Sequence, residues 1–282
     1  MHTFNTLQPV ALTIRFAGGS LQVLAERRDT TTVEISPANP SSSADVDHAA
    51  ATTVEQRGNE IVVIAPDTKR WFGRTPKLDV KVAAPTNSGL TAFVESADVR
   101  LRGHLGGVDV NSASGDVRLE HAASLTVSTA SGDVWGDSVG GDGRVKTASG
   151  DVRLTEVIGT GEVTTASGDI QIQRVNGDVN LRSASGDATV GAVGGSVTAK
   201  TASGDIRIDS VTVGSVEIDS ASGDLWLGVA PGTAAWLEVQ SLSGDVTSEL
   251  QTSDAPADDA PSVAIRARTL SGDIAIRRAV TS

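Results

Sequence analysis

At 282 residues and 39% hydrophobic content the chain is long enough to bury a core, but 3% aromatic residues, no tyrosine and 30 glycines restrict that core to small aliphatic side chains. With 35 acidic against 23 basic residues the net charge is −12, which repels phosphate backbones and excludes nucleic acid as a partner. The absence of cysteine excludes disulfides, thiolate nucleophiles and cysteine-based zinc sites.

The N-terminal stretch Met1 to Ser20 has no basic region followed by an apolar run, so it reads as no secretory leader. No window of about 18 apolar residues occurs, which predicts no membrane insertion. The expected location is the cytoplasm, with cell-surface association left open. Residues 1–95 carry strand patterns at Val10 to Phe16, Leu21 to Leu24, Thr32 to Ile35, Glu60 to Ile64 and Leu78 to Val82, and are expected to form an N-terminal β segment capping the rest of the chain. Ser36 to Ala49 reads as a loop or short helix. The basic cluster Lys69-Arg70-Trp71-Phe72-Gly73-Arg74 reads as an exposed loop, with docking as the alternative.

From residue 96 to 282 a repeat takes over. Ser-Gly-Asp recurs with its aspartates at Asp116, Asp133, Asp151, Asp169, Asp187, Asp205, Asp224, Asp245 and Asp273, and a degenerate Ser-Ala-Asp ends at Asp98. The successive spacings are 18, 17, 18, 18, 18, 18, 19, 21 and 28. Aliphatic residues one and three positions after each aspartate (Val152 and Leu154, Ile170 and Ile172, Ile206 and Ile208) alternate with Arg118, Trp135, Arg153, Gln171, Thr189, Arg207 and Trp226. That is the period of a strand with one buried face. A glycine corner follows at Gly141, Gly159, Gly177 and Gly195, then a second strand with Val145, Val163, Leu181 or Ile218. About 18 residues hold two or three short strands and no helix. A single coil cannot bury its own aliphatic stripe, so the coils must stack with each strand parallel to its equivalent. The predicted fold is all-β, a single-stranded right-handed parallel β-helix or solenoid. Residues 252–262 (TSDAPADDAPS) form an acidic loop insertion that accounts for the spacing of 28.

Glycine supplies the positive φ of a tight corner, and Ser and Asp side chains hydrogen-bond nearby amides there. Stacked carboxylates about 5 Å apart repel by roughly 0.8 kcal/mol per pair in water. Amide donors together with Arg100, Arg118, Arg153 and Arg207 offset this; bridging Ca²⁺ is the alternative, although the calcium-binding nonapeptide pattern is not reproduced. No catalytic residue, cofactor site or metal site is predicted. The serines repeat identically from coil to coil, only four histidines exist, and no dinucleotide or phosphate-loop fingerprint occurs. Trp135 and Trp226, outward-facing in an aromatic-poor chain, are the binding candidates.

The units Thr147 to Val152, Thr165 to Ile170 and Thr201 to Ile206, with Phe4, Ala11 to Phe16 and Leu78 to Pro85 before them, resemble the putative-adhesin family of bacterial β-strand-repeat domains of unknown function, also called toastrack domains. The resemblance implies a right-handed β-solenoid without cofactor or catalytic residues, and roles in adhesion or in sensing and scaffolding envelope stress. The expected function is a non-enzymatic interaction or scaffold protein whose partner is a protein or a second copy. A carbohydrate-binding or carbohydrate-active β-helix is the alternative.

Overall fold

The structure is a computed structural model and describes residues 1–67, 75–251 and 261–279. The basic cluster at 69–74 and most of the acidic insertion therefore lie outside the described residues. Two compact units, Met1–Gly140 and Gly141–Ser282, are both parallel β-solenoids.

In the second unit each coil contributes two strands. They are β10 (Gly143–Lys146), β11 (Val152–Val157), β12 (Gly161–Ser167), β13 (Ile170–Val175), β14 (Val179–Ser185), β15 (Ala188–Val193), β16 (Val197–Ser203), β17 (Ile206–Val211) and β18 (Gly214–Ser222). Five more complete the unit: β19 (Leu225–Val229), β20 (Ala234–Ser243), β21 (Val246–Ser248), β22 (Ser262–Ser271) and β23 (Ile274–Arg278). Val152 pairs with Ile170, Ile170 with Ala188, and Ala188 with Ile206, all parallel and all buried. Equivalent residues thus stand in one file, as the 18-residue spacing requires. The opposite strands build a second file, Val145, Val163, Leu181, Ala199 and Ile218. Each fully buried aliphatic contributes about 1.5–3 kcal/mol, and a core two side chains deep needs no aromatic filling.

The last coils depart from chain order. β22 pairs with β18 on one side and β20 on the other, and β23 pairs with both β19 and β21. The C-terminal segment therefore lies inside the stack, and Ala234 to Ser248 forms its final rung. A strand bonded on both edges cannot fray as a terminal edge strand does.

The first unit repeats this device. Its elements are β1 (His2–Asn5), β2 (Ala11–Glu26), β3 (Thr30–Pro37), α1 (Ser43–Ala51), β4 (Thr53–Arg57), β5 (Glu60–Ile64), β6 (Lys77–Pro85), β7 (Gly89–Ser114), β8 (Val117–Ser128) and β9 (Val134–Val139). β2 is itself a coil: Leu12 lies between Ile61 and Leu90, and Leu21 between Val80 and Val99, all in parallel register. Beyond it, β3 runs antiparallel on β6 and β4 antiparallel on β5. The stretch from Ser36 to Ala49 includes a short helix: the Ser42 hydroxyl accepts the Asp45 amide at 3.3 Å, and the buried Asp45 carboxylate accepts the Asn39 and Lys77 amides at 3.3 Å each.

Candidate functional site

The Ser-Gly-Asp corner is a hydrogen-bonded ladder. In the second unit one aspartate after another accepts the amide of the aspartate one coil on: Asp151 from Asp169 at 3.0 Å, Asp169 from Asp187 at 3.0 Å, Asp187 from Asp205 at 2.9 Å and Asp205 from Asp224 at 2.8 Å. The ladder then passes to Asp273 and from there to Asp245, following the stack and not the sequence. Arg100, Arg118 and Arg153 face their own corner aspartates at 3.6, 3.7 and 2.9 Å. Arg207 does not: it turns to Asp209 at 2.6 Å, a carboxylate two residues on along its own strand. Among the described residues no group of three or more histidine or acidic side chains is arranged to hold a metal ion.

This ladder yields a prediction. Asp187→Asn keeps the acceptor oxygen and removes a like charge, so its unfolding free energy from urea denaturation is expected within about 0.5 kcal/mol of the parent, whereas Asp187→Ala loses about 1 kcal/mol. Equal losses in both variants would show that charge, not the hydrogen bond, sets the contribution.

Trp135 and Trp226 lie in different units, both half-buried. The Arg118 guanidinium sits 4.5 Å over the Trp135 ring and covers one of its two faces. Trp226 stands in the file between Arg207 and Ala275. In the first unit a groove of about 610 Å³ runs past Arg15, Phe93, Ser112 and Thr129. The Thr129 hydroxyl lacks a hydrogen-bond partner, but so do those of Thr165, Thr201 and Ser220 at the same module position. That property belongs to the repeat and not to the groove.

The feature that breaks the repeat is the final rung of the second unit. Trp236 is 70% exposed on β20, beside a groove of about 370 Å³ lined by Ser215, Glu217, Ala264 and Arg266. Seven coils place alanine between the hydroxyl residue and the serine of the corner (Ala113, Ala130, Ala148, Ala166, Ala184, Ala202, Ala221), whereas the two outermost strands place Leu270 and Leu242 there, 60% and 77% exposed. Leu237 and Val246, last members of two core files, are 41% and 48% exposed. Glu238 is the one charge on β20. It accepts hydrogen bonds from Arg266 at 2.8 and 3.0 Å and from Arg268 at 2.8 Å, and these hold its carboxyl below the usual range. Sequence reasoning passed over Trp236; the alanine-to-leucine change at Leu242 and Leu270 was the available signal.

Among the described residues the arrangement offers apolar area and an unpaired strand edge, and no nucleophile beside a base. The sequence matches Toastrack DUF4097 over residues 10–192 and again over 174–277. The chain belongs to this family. No curated protein matches the sequence. Among solved structures, the toastrack chain is similar to a putative adhesin from Parabacteroides distasonis ATCC 8503, at 11% identity and a TM-score of 0.37, covering 98% of this chain and 95% of that one. A putative adhesin from Bacteroides fragilis NCTC 9343 gives 14% identity and a TM-score of 0.38 over 98% and 95%. One from Parabacteroides merdae ATCC 43184 gives 10% and 0.35 over 98% and 94%. Likenesses this loose carry no weight for function. Among the described residues, no helix of the toastrack chain is long and apolar enough to cross a membrane.

Proposed function

We infer that this toastrack chain is a non-catalytic interaction and scaffold module, working in adhesion or scaffolding at the cell envelope, that engages protein through the final rung of its second unit. The observation that carries the reading is the co-location of Trp236, Leu242 and Leu270, each at least 60% exposed, on or beside a strand with no neighbour on its outer edge among the described residues. Water-exposed tryptophan and leucine clustered beside open backbone donors and acceptors mark contact surfaces. The remaining coils present repeated turn chemistry in which no serine or aspartate is set apart from its equivalents, and catalysis needs one that is.

The test is differential capture. Immobilised parent protein and a Trp236→Ser/Leu242→Ser variant are exposed to extract of the source cell and the bound proteins are quantified. At least one protein is expected to fall about tenfold on the variant. Both side chains are exposed, so the variant's melting curve should match the parent's. Identical capture by the two proteins would end the reading.

A further inference from the structure

We propose that the final rung is a two-fold docking face for a second copy of this chain, with β20 laid antiparallel on the β20 of its partner and Val239 on the axis. The proposal rests on the interaction reading under Proposed function and names its partner.

The first argument is what β20 lacks. Its ten residues, Ala234 to Ser243, include no lysine, arginine or proline, and among the described residues it pairs with β22 alone. Those absent residues are the ones that block an exposed edge from pairing with another chain.

The second argument is self-complementarity. A two-fold axis perpendicular to the sheet must set one residue opposite its own copy, because opposed antiparallel side chains share a face. Through Val239, Trp236 lies opposite the partner's Leu242, Leu237 opposite the partner's Ser241, and Glu238 opposite the partner's Gln240. The two most exposed apolar side chains of the strand thus cover each other twice. Through Glu238 two carboxylates would face each other, which directly opposed like charges disfavour. Through Gln240, Trp236 would meet the partner's Gly244, which has no side chain to cover it, and Glu238 would meet the partner's Leu242. Of these three registers, only the one through Val239 joins the two most exposed apolar side chains and leaves no charge against its like.

The third argument is electrostatic and selects the occupant. The chain carries −12, so most faces of two copies repel. Glu238 is already bonded by Arg266 and Arg268, so its carboxylate brings no unpaired negative charge to this edge. An identical edge therefore approaches without an unpaired carboxylate, and the file of Ile218, Ala267 and Val239 then continues across the axis into the partner's Val239 instead of ending at water.

Size-exclusion chromatography with light scattering on the full chain, from about 1 to about 100 μM, is expected to show a dimer. Leu242→Ser should raise its dissociation constant at least about tenfold. Gln240→Glu, which sets a carboxylate against the partner's Glu238, should weaken it at low salt and less at high salt, whereas Gln240→Lys should not weaken it. All three variants change side chains on the open outer strand, so melting curves report folding separately. A monomer at every concentration overturns the proposal, as does a dimer indifferent to both Leu242→Ser and Gln240→Glu. A monomer that still shows differential capture between the parent and the Trp236→Ser/Leu242→Ser variant removes the self-pairing and leaves the interaction module standing.

Discussion

Gly204→Ala is expected to lower stability by about 3 kcal/mol or more, because two separate costs fall on one methyl group. Gly204 sits at φ +131, a region that side chains rarely adopt, and a Cβ there would lie 2.3 Å from the Gly186 carbonyl oxygen of the coil beneath. That oxygen belongs to a stacked corner and cannot move without breaking register. Gly58 supplies the internal comparison: at φ +63 it is left-handed too, but a Cβ there meets nothing within 4 Å. Gly58→Ala should therefore cost only the backbone term, about 1 kcal/mol. Chemical denaturation of the two variants separates stacking from backbone strain. Equal losses would mean that the coils are not in contact at the corner.

Ile265→Ala is the second large effect, about 3 kcal/mol, against about 1 kcal/mol for Leu237→Ala. Ile265 comes later in the chain, and stacking in chain order would make it the outer of the two. Instead it is 2% exposed between Val216 and Leu237, while Leu237 is 41% exposed. Deleting its side chain leaves a cavity walled on both sides, whereas the Leu237 site opens to water. The reverse ranking would place the C-terminal segment at the end of the stack.

The repeat was legible because its chemistry is local. Each Ser-Gly-Asp must make a corner wherever it lies, and the aliphatic residues one and three positions on must face inward, so Val152, Ile170 and Ile206 could be assigned to one file from spacing alone. Stack order was not legible. Spacing counts the residues between corners and says nothing of which corner rests on which, and a longer connection adds little closure entropy. The spacings of 21 and 28 therefore concealed that Asp273 lies between Asp224 and Asp245. Nor was the coil at Ala11 to Glu26 visible through the tripeptide: Ser20 stands where other coils carry aspartate, and its hydroxyl donates to Asp79 at 2.8 Å. At the candidate site, Trp135 and Trp226 drew notice as outward aromatics. Exposure decides between aromatics, and exposure depends on which rung is last, so Trp236 required the stack order that spacing conceals.

Cysteine pairing reads that order directly, in a chain with no cysteine of its own. Ser271 is in register with Ser222 on one side and Ser243 on the other. Neighbouring strands stand about 4.8 Å apart, within disulfide reach, and alternate ones about twice that, beyond it. Under mild oxidation, Ser222→Cys/Ser271→Cys and Ser271→Cys/Ser243→Cys should both crosslink within the chain, and Ser222→Cys/Ser243→Cys should retain free thiols. Rapid crosslinking of the 222/243 pair, with none at 222/271, would contradict the intercalated stack on which the final rung and its partner depend.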